Sequence, residues 1–182
     1  RKVEEIKKRL KELKERLEES VKRIKDRLRK LEEDNRRLAE EVKKRLEELL
    51  KRLEDLVKRR EGDKTDLRRS VEKVVREIRE LIEELKRHTE ESADEIRKLL
   101  EEHKRLSDEV VREIRELIRD LDDEKAVKEL EDELRRIEKT SRDVLKELED
   151  ILRRLREESK RVADELRELL RRVKEKVERE TK

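Results

Sequence analysis

SVEKVVREIRELI at Ser70–Ile82 and DEVVREIRELI at Asp108–Ile118 share one nonapeptide, VVREIRELI, at Val74–Ile82 and again at Val110–Ile118. The step from Val74 to Val110 is 36 residues, or two steps of 18. Eighteen residues complete about five turns of an α-helix at about 3.6 residues per turn, so an 18-residue repeat returns to one face of a straight helix. A seven-residue repeat would instead impose a left-handed supercoil. The repeat therefore predicts a long helix with one constant apolar face. Between the two copies that face is interrupted by His88, Thr89, Ser92 and His103.

The same logic extends outward in both directions. From Val3 to Val57 the apolar residues fall within one stripe about 120° wide, taking about 100° per residue. Neither Pro nor Gly breaks this segment. It predicts a first helix over about 2–61, roughly 90 Å long at about 1.5 Å per residue. The single Gly of the chain, Gly62, follows Lys58, Arg59 and Arg60. Basic residues suit the negative end of a helix dipole, and Gly suits the left-handed position just beyond it. Asp63, Thr65 and Asp66 can then cap a new N-terminus, so Glu61–Thr65 is expected to be a tight reversal. The second helix is expected over about 66–121, with a wider stripe of about 140°. Asp122 and Asp123 supply the next N-cap and Glu124 an acidic first turn. A third helix follows over about 124–180. Its repeat is the cleanest: Leu130, Leu148 and Leu166, then Leu134, Leu152 and Leu170.

Three helices of similar length on short connections pack antiparallel to their neighbours. The expected fold is all-α: a single-chain, up-down-up three-helix bundle, long and nearly untwisted, with residues 1–182 as one domain. Its outer faces are expected to carry i,i+4 ion pairs such as Glu4–Lys8, Glu12–Arg16, Glu83–Arg87, Glu131–Arg135 and Glu168–Arg172.

Composition excludes several classes. The chain has 182 residues, of which 62% are charged and 30% apolar, with no aromatic residue, Pro, Cys or Met. High charge without aromatics is also a signature of disorder, but here the aliphatic residues keep a helical period. Net charge is only +3 with both signs interleaved, so no basic arm or acidic tail points to a nucleic-acid partner. Without Cys there is no disulfide framework. No apolar run approaches the roughly 18 residues that span a bilayer. No targeting signal is visible, and a chain beginning at Arg1 reads as a trimmed one. A soluble protein is expected, with no compartment indicated.

The informative residues are the polar ones inside the stripes: Ser20 and Asn35 in the first helix, His88, Thr89, Ser92, His103 and Ser107 in the second, Ser141 and Ser159 in the third. Folding the chain about its two connections places residue i of the first helix opposite about 127 − i, and residue j of the second opposite about 245 − j. Asn35 then faces Ser92, Ser20 faces Ser107, His103 lies beside Ser141, and His88 faces Glu157. The interruptions gather into two layers. One holds Asn35, His88, Thr89, Ser92 and Ser159. The other holds Ser20, His103, Ser107 and Ser141. An unpartnered buried polar group costs roughly 1–3 kcal/mol, and gathering donors with acceptors avoids that cost in one register only. His88, Ser20 and Ser92 lie at stripe edges, where partial exposure is the alternative to burial.

Catalytic and metal readings of these residues are weaker. His88 and His103 are about 22 Å apart along one helix and cannot share a metal. Glu84 precedes His88 by four residues, but no second ligand set appears, and the inward Glu-x-x-His pattern of di-iron bundles is missing. No mid-stripe carboxylate orients either His toward a Ser. A nucleic-acid surface would need a basic face and stacking aromatics. No cofactor, metal or catalytic residue is therefore expected.

The 18-residue repeat, the Glu/Lys/Arg surface, the caps GDKTD and DDEK, and the polar residues set among Leu, Ile and Val resemble, over the whole chain, computationally designed parametric helical bundles with buried hydrogen-bond networks. The resemblance implies an idealised, very stable scaffold with no evolved activity, its polar layers specifying register. Some members of that class carry His so that acid disrupts the network. This chain departs from them in layers dominated by Ser, without Gln or Tyr. A spectrin-like three-helix repeat is the nearest natural analogue, but the helices here are longer and Trp is absent. A monomer needing no partner is expected. The alternative is an assembly module forming homo- or hetero-oligomers through its apolar stripes, pH-responsive through buried His, and the wider stripe of the second helix favours it.

Overall fold

The computed structural model describes residues 2–59 and 64–180. They form three helices and, among the described residues, no strand: α1 Lys2–Arg59, α2 Lys64–Arg119 and α3 Glu124–Glu180. The all-α three-helix class expected from the repeat is the class observed. The reversal expected at Gly62, with Asp63 as a cap, lies outside the described residues. Helix α2 starts at Lys64, so Thr65 and Asp66 stand inside its first turn rather than at its N-cap.

The second connection is shorter in helix than expected. Helix α2 ends at Arg119 instead of Leu121. There the Leu121 N–H donates to the Ile118 carbonyl at 3.1 Å, a tightened i→i+3 bond of the kind that closes helices. Asp120, Asp122 and Asp123 carry short acceptors that compete for backbone donors and so favour leaving the helix. Asp123 does this directly. Its Oδ1 accepts from the N–H groups of Lys125 at 3.2 Å and Ala126 at 3.4 Å, and its carbonyl accepts from Val127 N–H at 2.9 Å. These are the contacts of an N-cap.

The chain forms two compact units, Arg1–Lys30 with Ala93–Arg153 and Leu31–Ser92 with Arg154–Lys182. Every helix contributes to both. In the first unit the apolar cluster draws on Leu13 of α1, Ile114 of α2 and Leu130 of α3, among others. In the second it draws on Val42, Ile78 and Leu166 with their neighbours. Each cluster is aliphatic throughout, so it holds by area removed from water and by close packing, at about 25 cal/mol per Å² of apolar surface.

Within each unit, contacts run down α1 as they run up α2. Arg9 pairs with Glu113 at 2.7 Å, Ser20 with His103 at 2.9 Å, and Arg27 with Glu95 in the first unit. Asn35 meets Thr89 at 3.1 Å and Arg45 meets Glu77 at 3.7 Å in the second. Helices α1 and α2 are thus antiparallel, with paired numbers totalling 122 to 124 rather than about 127. Helices α2 and α3 are antiparallel as well. Ser107 with Ser141 and Thr89 with Ser159 both total 248, rather than about 245. Each offset is close to one helical turn. Asn35 therefore meets Thr89 and not Ser92, and Ser20 meets His103 and not Ser107.

The expected i,i+4 surface pairs are replaced in part by pairs between helices and in part by i,i+3 pairs within one helix. Glu83 binds Arg167 at 2.7 Å instead of Arg87, and Glu12 binds Arg9 at 3.2 Å. Arg135 contacts Asp132 at 3.9 Å, whereas Glu168 and Arg172 do lie 3.8 Å apart. Side chains flanking an apolar stripe reach the neighbouring helix as easily as their own next turn.

Candidate functional site

In the second unit, Thr89 is the point where three helices meet through polar atoms. Its Oγ1 lies 3.1 Å from Asn35 Oδ1 on α1 and 2.9 Å from Ser159 Oγ on α3. The same oxygen lies 2.9 Å from the carbonyl of Leu85, one turn back on its own helix. Thr89 and Ser159 are buried, and Asn35 is half-buried. Asn35 and Ser159 both line a groove of about 240 Å³ between α1 and α3, with Leu85 among its lining residues.

His88 and Ser92 do not join this node. His88 is half-buried and turns its Nε2 toward Asp34 at 3.6 Å, not toward Glu157. Its stripe-edge position leaves the ring reaching along the α1 flank, where Asp34 stands one residue before Asn35. Ser92 is half-buried at its own edge.

The first unit carries two separate polar contacts. Ser20 Oγ and His103 Nδ1 are 2.9 Å apart, joining α1 to α2. The Ser141 hydroxyl donates to Ser107 Oγ at 2.8 Å, joining α2 to α3. His103, Ser107 and Ser141 are buried, and Ser20 is half-buried. The His103 ring is only 1% exposed, and desolvation lowers its pKa below the ordinary histidine value, because burial disfavours the charged form. Its Nε2 is the one buried side-chain polar atom without a partner among the described residues. Ser141 turns to Ser107 rather than to this nitrogen.

The polar residues thus link helices pairwise in one unit and three at a time in the other. Two of the contributors were not visible as such in the sequence. Asp34 is an ordinary surface acid until the register places it beside His88. The Leu85 carbonyl becomes an acceptor only because Thr89 follows it by four residues, a spacing at which a helical Thr hydroxyl can bond back.

Among the described residues, no group of three or more His, Cys, Asp or Glu could hold a metal ion. No described helix is long and apolar enough to cross a membrane. Around the groove, Glu32, Arg36, Glu40 and Lys43 alternate in sign along α1, which gives no single-sign field to steer a charged ligand.

No protein-family model matches the chain, and no curated protein matches it either. Among solved structures it is similar to a computationally designed three-helix bundle, with a TM-score of 0.53 and 17% identity, over 99% of this chain and 87% of that one. At that identity the likeness speaks for the fold alone, and the fold it speaks for is the three-helix bundle.

Proposed function

We propose that this chain is a designed structural scaffold without biochemical activity of its own, a single three-helix domain whose buried polar residues specify the register of the helices. The observation that carries the reading is the Thr89 node. An aliphatic stripe that repeats every three to four residues tolerates a slip of one turn. A hydroxyl satisfied from two neighbouring helices does not, because a slip strands its donors and acceptors at the cost of an unmade hydrogen bond. The printed title of the similar structure, a computationally designed three-helix bundle, supports the same origin. So do the 18-residue repeat and an interior whose apolar residues, among those described, are Leu, Ile, Val and Ala alone.

Light scattering with equilibrium unfolding tests this. The expected result is a mass near 22.5 kDa and one cooperative transition over the whole chain. A multiple of that mass would replace the scaffold reading by the assembly module. Two separated transitions would replace the single domain by two.

A further inference from the structure

The protons around Thr89 can be counted, and the count fixes a direction. A threonine hydroxyl has one proton to donate and two lone pairs to receive with. Thr89 Oγ1 faces three oxygens: Asn35 Oδ1 at 3.1 Å, Leu85 O at 2.9 Å and Ser159 Oγ at 2.9 Å. Two of these, the Asn35 amide oxygen and the Leu85 carbonyl, only accept. One proton cannot serve both, so one pair of oxygens, the part-buried one with Asn35 or the buried one with Leu85, would meet lone pair to lone pair. Half a turn of the Asn35 amide about χ2 exchanges Oδ1 with Nδ2 at nearly constant shape. Nδ2–H then donates to Thr89, Ser159 donates to Thr89, and Thr89 donates to Leu85 O. Both lone pairs and the one proton are used, and no acceptor faces another.

Resting on the reading of these residues as register determinants, we infer that Asn35 is a hydrogen-bond donor to Thr89, that its carbonyl oxygen faces the α1–α3 groove, and that Thr89 is the register-determining residue of the second unit. Thr89 is the only side chain of the node that reaches both other helices. Its neighbours one turn away on the same face are Leu85 and Ala93, 1% and 0% exposed, and neither has a polar side-chain atom. A one-turn slip of α2 would therefore set an apolar residue against the Asn35 N–H and the Ser159 O–H and leave both donors unmet. The β-branch assists. Thr has few χ1 choices in a helix, and one of them places the hydroxyl against the carbonyl four residues back.

The test is made on the intact chain by side-chain amide NMR, with the Asn35 resonances assigned by their loss in Asn35→Leu. In the parent, one Asn35 Hδ2 proton is expected to exchange slower than the other and to lie apart from it in shift. Thr89→Ser, which keeps the hydroxyl, should preserve that pattern. Thr89→Val should collapse it and lower the guanidinium midpoint more than Ser159→Ala, since Val strands two donors and Ala strands none. If both Asn35 protons exchange at the open-solvent rate in the parent, the donor direction is overturned while the register role stands. If Thr89→Val keeps one sharp set of backbone resonances at the parent positions, the register role is overturned while the donor direction stands on the parent measurement. Should Thr89→Val not fold, the parent, Thr89→Ser and Ser159→Ala decide the direction among themselves.

Discussion

His103 and Ser20 are joined through one ring nitrogen only: Nδ1 lies 2.9 Å from Ser20 Oγ, while Nε2 is buried with no partner. A protonated ring would need a second acceptor at Nε2 that the core does not offer, so the neutral form is the one that fits. Burial accordingly lowers the His103 pKa from its ordinary value. The unfolded chain then binds the proton more readily than the folded one, so stability falls as pH drops through the unfolded value of about 6.5 and keeps falling until the folded pKa is passed. The guanidinium midpoint of the parent should be lower near pH 5.2 than near pH 7.5. His103→Leu should lose less across that window. Equal losses in the two proteins would contradict a neutral buried ring.

Asn35→Leu should fold. Thr89 keeps the Leu85 carbonyl and Ser159, and the half-buried site accommodates an aliphatic side chain beside Leu38 and Ala39. The stability change is expected to stay within about 1 kcal/mol in either direction, because no buried donor is stranded. Guanidinium titration at constant m-value reads it. Failure to fold would mean that Asn35 holds the bundle together rather than selecting among its registers.

Asp123→Ala should weaken the start of α3. Asp123 Oδ1 accepts from Lys125 and Ala126 N–H groups that no helical carbonyl can reach. Loss of such a cap costs about 1 kcal/mol, and Asp123→Ser should restore most of it. Amide exchange at 125–127 should quicken in the Ala variant before the rest of α3 is affected, since fraying starts at the uncapped turn.

How much of this was legible follows from what each residue encodes. The 18-residue steps of Leu130, Leu148 and Leu166 carry a helix of constant face, and Asp123 carries its start. Those are local signals, readable without a partner. Register is not local. A stripe of Leu and Val recurs every three to four residues, so it fits a neighbouring helix equally well one turn away. Counting from the connections alone sets Asn35 against Ser92. The observed contact with Thr89 differs by three residues on α2, within the turn that the stripe leaves undetermined. The flanking charges that cross between helices, such as Arg9 with Glu113 and Glu83 with Arg167, do not settle it in sequence either, because Arg9 and Glu83 have opposite charges four residues away on their own helices, at Glu5 and Arg87. His88 shows the same ambiguity at a stripe edge. Its angle permits burial or exposure, and the nearby Asp34 draws its Nε2 toward the α1 flank.

Leu166 and Leu169 offer the sharpest contrast for the state of assembly. They stand three residues apart on α3 in the same unit, yet Leu166 is 2% exposed and Leu169 is 38% exposed, the one exposed large apolar residue among those described. Leu166→Ala deletes packed atoms and opens a cavity, at a cost of about 2–5 kcal/mol. Leu169→Ala deletes atoms that water already reaches in the isolated chain, and surface changes of that kind stay within about 0.5 kcal/mol. Denaturant titration of both variants at two protein concentrations a hundredfold apart decides between the readings. For a monomeric scaffold the Leu166 variant alone is destabilised, and neither midpoint moves with concentration. If chains pair across the outer face of α3, Leu169 is covered by the partner, its removal costs as much as a core residue, and the parent midpoint rises with concentration by mass action.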